Sequence, residues 1–154
     1  MSASDSGGRP VAANRKALHD YLVLRRLEAG ISLKGSEVKS IRQGQIALTG
    51  GFARFEGRNL VLHVNIAPYQ CGGAFNHEPD RPRNLLLHRR EMARLAAELE
   101  QKGLTLVPLS CYFKRGMVKI ELGLCRGKRR SDRREQMKRR DAEKEAARAS
   151  ARRG

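Results

Sequence analysis

The chain has 154 residues, 32 of them Lys or Arg and 16 Asp or Glu, giving a formal net charge of +16. That length suits one domain, and the charge favours a polyanionic partner. No segment approaches the roughly 20 apolar residues of a membrane span and no apolar leader opens the chain, which reads as a soluble, unexported protein with no membrane partner.

Residues 1–13, "MSASDSGGRPVAA", are small, polar and Gly-rich, and read as a disordered N-terminus. Residues 14–126 hold nearly all the large apolar residues and read as one folded unit. Within it, "DYLVLRRL" reads as a strand. "SEVKSIRQG" reads as a short helix, with Ser36 as N-cap, Val38 and Ile41 one turn apart and Gly44 as the stop. "FARF" reads as a further strand. "LVLHVNIA" puts Leu60, Leu62, Val64 and Ile66 on one face with a period of two.

"NHEPDRPR" reads as a solvated, proline-stiffened loop, and its neighbours Glu78 and Asp80 do not amount to a metal site. "HRREMARLAAELEQKG" reads as a helix with Met92, Leu95, Ala96 and Leu99 on one stripe, ending at Gly103. "LTLVPLSCYF" runs into "KRG", a hairpin turn with Gly116 free to take positive φ. "MVKIELGLC" turns Val118, Ile120, Leu122 and Leu124 inward, and Lys119 and Glu121 outward. Five or six short strands with a helix between two of them predict a mainly β protein. The expected architecture is an OB-type small closed barrel with flanking short helices, a fold that commonly presents a strand face to oligonucleotides.

Residues 127–154 read as a basic tail. From Arg126 onward there are 13 Lys or Arg against 5 Asp or Glu, half of the net charge. Met137 stands there without any Leu, Ile, Val, Phe, Tyr or Trp, so this segment cannot pack a core. Asp132 and Glu135 resemble a capping box, and Glu135–Arg139 and Arg139–Glu143 are i,i+4 pairs worth about 0.2–0.5 kcal/mol each. Ala142, Ala146, Ala147 and Ala149 favour helix. With no apolar stripe, an isolated helix of this size is marginal in water. Composition leaves two readings open: a helix that forms along RNA, and a tail that stays disordered and binds RNA loosely.

Chemical motifs are few. There is no Gly-rich phosphate loop, nucleophile elbow or paired-His metal motif, and no cofactor is implied. His19, His63, His77 and His88 are scattered and read as structural or RNA-facing. Cys71, Cys111 and Cys125 show neither zinc nor redox spacing, and read as free thiols in a reducing cytoplasm. Basic residues beside aromatic ones carry more: Arg15, Lys16, His19 and Tyr21 cluster, and "SCYFKRG" sets Tyr112 and Phe113 beside Lys114 and Arg115. Cations neutralise phosphates and aromatic faces stack on unpaired bases, whereas the competing reading makes Tyr21, Tyr112 and Phe113 core residues. The leading class is an RNA-binding adaptor. An RNA-processing enzyme using His88 with Glu91 or Asp80 is the second, and a general basic chaperone or initiation-factor-like protein the third.

"NRKALHDY", "LEAGISLKGSEVKSIRQG", "NIAPY", "LLLHRREM", "KGLTLVPLSCYFKRG", "VKIELGLCRGKR" and "DRR" occur in this order. Together, from about Asn14 to Arg134, they resemble the SsrA-binding protein (SmpB) family, partners of transfer-messenger RNA in trans-translation. The resemblance implies an OB-type barrel that does no chemistry. It binds the tRNA-like domain of transfer-messenger RNA, delivers that RNA to stalled ribosomes and occupies the place of the missing codon–anticodon pair. The tagged nascent peptide is then degraded. Implied partners are the small-subunit decoding centre and empty messenger channel, with elongation factor Tu and alanylated transfer-messenger RNA; the free protein is expected to be monomeric.

By the same resemblance, Asn14, Glu28, Leu86 and Lys119 fall where the family has residues important for RNA binding. Lys119 is expected to meet phosphate. Glu28 is expected to accept from a base or to orient a neighbouring Arg or Lys, and Leu86 to shape the surface by packing. His19 matches a histidine associated with the decoding centre. In "GSEVKS", Gly35 is read as a backbone requirement, Val38 as core, and Glu37 and Lys39 as surface groups. The basic residues Arg15, Lys114, Arg126, Lys128 and Arg129 complete the expected RNA-binding set. Asp132, Arg133, Arg134, Lys138, Arg139 and Arg140 are the expected ribosome-binding tail, disordered when free and helical on the ribosome. Leu18 and Asn84 stand where a basic residue is common, so those contacts are not carried over. Arg133 replaces the usual Lys of an Asp-Lys-Arg triplet.

Overall fold

The computed structural model describes residues 9–71, 73–128 and 130–153, with only the backbone path for Phe75 and for residues 130–137 and 150–153. In chain order the elements are β1 (Ala12–Ala13), α1 (Arg15–Asp20), β2 (Tyr21–Ile31), α2 (Gly35–Arg42), β3 (Ile46–Glu56) and β4 (Asn59–Ile66). A single 3₁₀ turn at Gly73–Phe75 follows, then β5 (Arg83–Leu86), α3 (Arg89–Leu99), β6 (Leu104–Lys114), β7 (Met117–Gly127) and α4 (Arg130–Arg153).

The strands run in the order β6-β3-β4-β5-β2-β7, and β7 pairs back onto β6, so six strands close a barrel. Every pairing is antiparallel, and β1 is appended to β6 through Ala12 opposite Cys111. Closure is extensive at β2–β7 and β6–β7 and thin elsewhere: β3 meets β6 only at Ala53 and Leu106, and the short β5 pairs two residues with β4 and two with β2. The chain thus joins the sheet at Ala12, within the stretch expected to be disordered, of which residues 1–8 lie outside the described residues.

The period of two in β4 and β7 has its expected outcome. Leu60, Leu62, Ile66, Ile120 and Leu122 are fully buried inside the barrel. Leu95 of α3 and Ile41 of α2 are likewise fully buried against that interior, closing it from outside the strand ring. Truncating either to Ala is the kind of core deletion that costs about 2–5 kcal/mol. A smaller cluster of Ala17, Val107, Leu109 and Cys125 lies beneath α1. It covers the second face of β7 at Cys125, and farther along that face Glu121, expected to be a solvent-facing carboxylate, is only 8% exposed and paired with Arg26.

Turn chemistry follows the sequence at the β6–β7 hairpin. Arg115 and Gly116 both have positive φ, 53° and 78°, as a two-residue type I′ connection requires. Other local readings need correction. Lys34, not Ser36, is the N-cap of α2, and its backbone N–H donates to the Glu37 carboxylate at 2.7 Å. Ser36 instead hydrogen-bonds His77 Nδ1 at 2.8 Å. Val38 is half-buried, packed at the core's margin. Helix α3 stops at Leu99, and a turn carries the chain to Gly103, while Ala96 of the expected stripe is exposed.

The loop after β4 is less solvated than its composition suggests. His77 is buried, with Nε2 2.9 Å from the carbonyl of Ile66. Glu37, read as a surface group, is fully buried. It takes Arg83 Nε at 2.6 Å and Arg81 Nη2 at 2.6 Å, while Arg83 Nη1 also donates to Val64 O at 2.9 Å. Burial alone would push the Glu37 carboxyl up, but the donors Arg81, Lys34 and Arg83 outweigh it and hold it below the usual range. The cluster ties α2, the loop and the first residue of β5 together.

Candidate RNA-binding surface

One row of residues crosses four neighbouring strands. Leu86 on β5 lies opposite Gly30 on β2, Gly30 opposite Lys119 on β7, and Lys119 opposite Tyr112 on β6. Side chains directly opposite in an antiparallel pair share a face, so Leu86, Lys119 and Tyr112 stand on the outside of the barrel. At Gly30 the strands come close: an added Cβ would lie 3.3 Å from Leu86 Cβ. Glu28, Leu86, His88, Glu91 and Lys119 line one open pocket of about 340 Å³ here, together with Gly30.

Glu28 sits directly opposite Glu121 across β2 and β7. Two facing carboxylates repel, and each has its own partner. Glu121 accepts from Arg26 Nη1 at 2.9 Å. Glu28 accepts from the Tyr112 hydroxyl, and Lys114 Nζ lies 3.4 Å from it. Burial, with the Glu28 hydrogen bond and charge behind it, raises the Tyr112 phenol well above its ordinary value, so it remains a donor. Glu28 thus bridges Tyr112 and Lys114 across β2 and β6. Leu86 does not pack as expected; it is 55% exposed.

Asn14 is not on this surface. It is 2% exposed, donates from Nδ2 to Pro108 O at 2.9 Å and Leu48 O at 3.2 Å, and accepts from Ala17 N at 3.1 Å as the N-cap of α1. Every polar atom of its side chain is used inside the protein, where it seats α1 on β3 and β6.

The remaining expected residues gather elsewhere. Arg15 and His19 are exposed on α1, and His19 Nδ1 lies 3.0 Å from Asp20 Oδ1. Arg126 near the end of β7 and Lys128 just past it lie beside them: Tyr21 pairs with Gly127 and Leu22 with Arg126. Lys128 Nζ donates to Leu18 O at 2.8 Å, and its backbone N–H to Asp20 O at 3.1 Å. Leu18, where a basic residue is common, is 38% exposed at this helix end. From Tyr21 to Gly30 is nine strand steps, about 30 Å at 3.3 Å per residue. The Lys119 end, where Lys119 and Lys114 stand among Glu28, Glu91 and Glu121, and the basic α1 end are therefore two separate regions joined by β2 and β7.

Helix α4 continues from the second region for 24 residues. It begins at Arg130, ahead of Asp132, so Asp132 is inside the helix and not at its cap. Lys138, Arg139 and Arg140 are exposed. Arg129 lies outside the described residues, as do the side chains of Asp132, Arg133 and Arg134.

Of the aromatic candidates, Phe113 and Tyr21 pack against the core clusters, while Tyr112 is buried on the outer face of the barrel. Tyr112 is 2% exposed, Tyr21 packs on the cluster under α1, and Phe113 is covered by Arg42 at 5.0 Å from its ring centre. Sequence reasoning missed Phe52, which is exposed and stacked on His63. The signal was in the break of alternation at "LTGGF", where two glycines precede an aromatic. Among the described residues no group of three or more His, Cys, Asp or Glu could hold a metal ion, and no helix is long and apolar enough to cross a membrane.

Comparison with known proteins gives a consistent picture. The family model "SmpB protein" matches residues 11–152. The SsrA-binding protein of Carboxydothermus hydrogenoformans is 55% identical over 140 residues, covering 90% of this chain and 94% of the relative. The SsrA-binding protein of Roseiflexus sp. is 52% identical over 151 residues, covering 97% and 96%. A solved chain described as "tmRNA-SmpB: a journey to the center of the bacterial ribosome" superposes with a TM-score of 0.65 at 53% identity. The superposition spans 82% of this chain and 94% of that one.

Proposed function

Since the chain belongs to the SmpB protein family, we infer that it is an RNA-binding adaptor of trans-translation. It binds transfer-messenger RNA and acts on the ribosome with it. It does so without chemistry of its own: its part is to hold one RNA against another.

The observation that carries the mechanism is the pair of separate regions about 30 Å apart along β2 and β7, each with cations at its surface. The region at Lys119, with Glu28 orienting Lys114 and Leu86 standing free, faces the tRNA-like domain of transfer-messenger RNA. The region at α1, with His19 and the root of α4, faces the decoding centre. There the protein stands in for the missing codon–anticodon pair, and the tail enters the empty messenger channel. Helix α4 carries no apolar stripe for the barrel to hold, so the ribosome's RNA supplies the template that stabilises it. Asp132, Arg133, Arg134, Lys138, Arg139 and Arg140 lie along that segment. Delivery as a complex of alanylated transfer-messenger RNA and elongation factor Tu, a monomeric free state and a cytoplasmic location complete the proposal.

The test is binding to the tRNA-like domain of transfer-messenger RNA against an elongator tRNA across a salt series. Discrimination should survive competitor RNA. The non-specific part should weaken with a log–log slope near −0.7 to −0.9 per phosphate neutralised. Equal binding to both RNAs sinks the reading. Cleavage of either RNA, lost on changing His88 or Glu91, would establish the enzyme alternative instead.

A further inference from the structure

Among the described residues Phe52 is the most exposed Phe or Tyr side chain, at 38%. An irregularity in the sheet puts it there. Ala47 pairs with Asn65 and Phe52 with His63, so β3 spends five residue steps where β4 spends two. Gly50 turns the excess chain with φ +79°, and a Cβ on Gly51 would come within 2.7 Å of Val64 Cγ1. Bulges of this kind re-aim side chains, and this one turns an aromatic ring outward.

The ring is held in place. Phe52 stacks on His63 with centroids 4.8 Å apart and planes 16° from parallel. His63 Nε2 lies 2.8 Å from Glu56 Oε2, and the same oxygen lies 3.9 Å from Arg54 Nε. The Arg54 guanidinium is 5.7 Å from the Phe52 ring centre, with its side chain 61% exposed. Beside the ring is an open concavity of about 390 Å³, walled by Phe52, the bare backbone of Gly50 and Gly51, Lys16 and Asp20 of α1, and Tyr21 at the start of β2.

We propose that Phe52 is a stacking site for one unpaired base of ribosomal RNA, which enters the concavity between the β3 bulge and α1. A pre-oriented aromatic ring flanked by cations is how proteins take up bases from unpaired RNA. Lys16 and Arg54 are placed for the flanking phosphates. The ribosomal source follows from position. The row at Lys119 occupies β5, β2, β7 and β6, which leaves the β3–β4 hairpin for a second RNA. The concavity is shared with α1, the helix that carries His19 and anchors the tail. The proposal rests on the adaptor reading above.

The experiment compares full-length wild type, Phe52→Leu and Phe52→Tyr in affinity for stalled ribosomes and for the isolated tRNA-like domain, with thermal melts to check folding. Dimethyl sulfate probing of the ribosomal RNA runs in parallel. Phe52→Leu should bind ribosomes at least about fivefold more weakly, with binding to the tRNA-like domain unchanged and Phe52→Tyr close to wild type. One unpaired ribosomal base should be protected by wild type and Phe52→Tyr but not by Phe52→Leu. Ribosome affinity of Phe52→Leu within twofold of wild type overturns the site. A loss confined to the tRNA-like domain overturns the ribosomal assignment. Failure of the wild type to bind the tRNA-like domain counts against the adaptor reading and leaves the Phe52 comparison on ribosomes readable.

Discussion

Arg83 Nε lies 2.6 Å from Glu37 Oε2, and neither side chain touches solvent. Arg81 closes the other carboxylate oxygen. Removing one partner of a buried pair leaves an uncompensated charge, at a cost of about 3–5 kcal/mol. Glu37→Gln should therefore lower stability in urea by that order near neutral pH.

The pH dependence has a fixed sign. The folded Glu37 carboxyl is held below its ordinary value, so its contribution is present above the unfolded carboxylate pKa of about 4.3 and is lost as pH falls through the folded value. The stability gap between wild type and Glu37→Gln should shrink on acidification below about pH 4. Denaturation midpoints across pH 3–7 read this directly, and a constant gap would mean that the charge on Glu37 is not what stabilises the loop.

Glu28→Gln and Tyr112→Phe each disturb one network, the first loosening Lys114 and the second removing the hydroxyl donor to Glu28. Both variants should fold, and both should weaken binding to the tRNA-like domain. The double variant should lose less than the two singles combined, because the sites share a partner. Strict additivity in a double-mutant cycle would separate the two residues' roles.

Cys71 is exposed, while Cys111 and Cys125 are buried. Burial pushes the Cys111 thiol up to about 12 and, against the pull of Arg26, the Cys125 thiol to about 11. One thiol should react quickly with a disulfide reagent at pH 8, and two more only on unfolding. Because the folded values are raised, this contribution to stability is complete below the unfolded thiol pKa of about 8.5 and is lost as pH climbs toward 11–12. A second fast thiol at pH 8 would show that the packing over Cys111 in the barrel core, or over Cys125 in the cluster under α1, opens in the native state.

Deleting residues 127–154 should leave a folded barrel that still binds the tRNA-like domain, since the core cluster residues all precede Arg126. Ribosome rescue should fail. Circular dichroism of the tail peptide free and on ribosomes checks its coupled folding, and equal helicity in both would refute it.

The barrel was legible because β4 and β7 turn a continuous apolar row inward with a period of two, written in Leu60, Leu62, Ile120 and Leu122, although the other face of β7 is covered as well. What stayed hidden came from long-range contacts. Glu37 looks like a surface residue until Arg81 and Arg83, more than 40 positions later, arrive to neutralise it. Asn14 carries no local sign that its amide reaches Pro108, 94 residues on. Phe52 was concealed because a bulge, not a period, decides its direction. The row of Leu86, Gly30, Lys119 and Tyr112 spans four strands, and no linear pattern joins them.

The two hydrogen bonds from Lys128 to α1 bear on how the tail finds its target. A tether that starts at a fixed point searches a bounded volume. Once the barrel is seated, α4, about 36 Å long when fully helical at 1.5 Å per residue, meets its channel at an effective concentration set by geometry and not by the amount of protein in the cell. Weak charge contacts spread along the tail then suffice for occupancy. Loosening the anchor, for instance by Lys128→Gln, which removes the side-chain bond to Leu18 O, would slow capture.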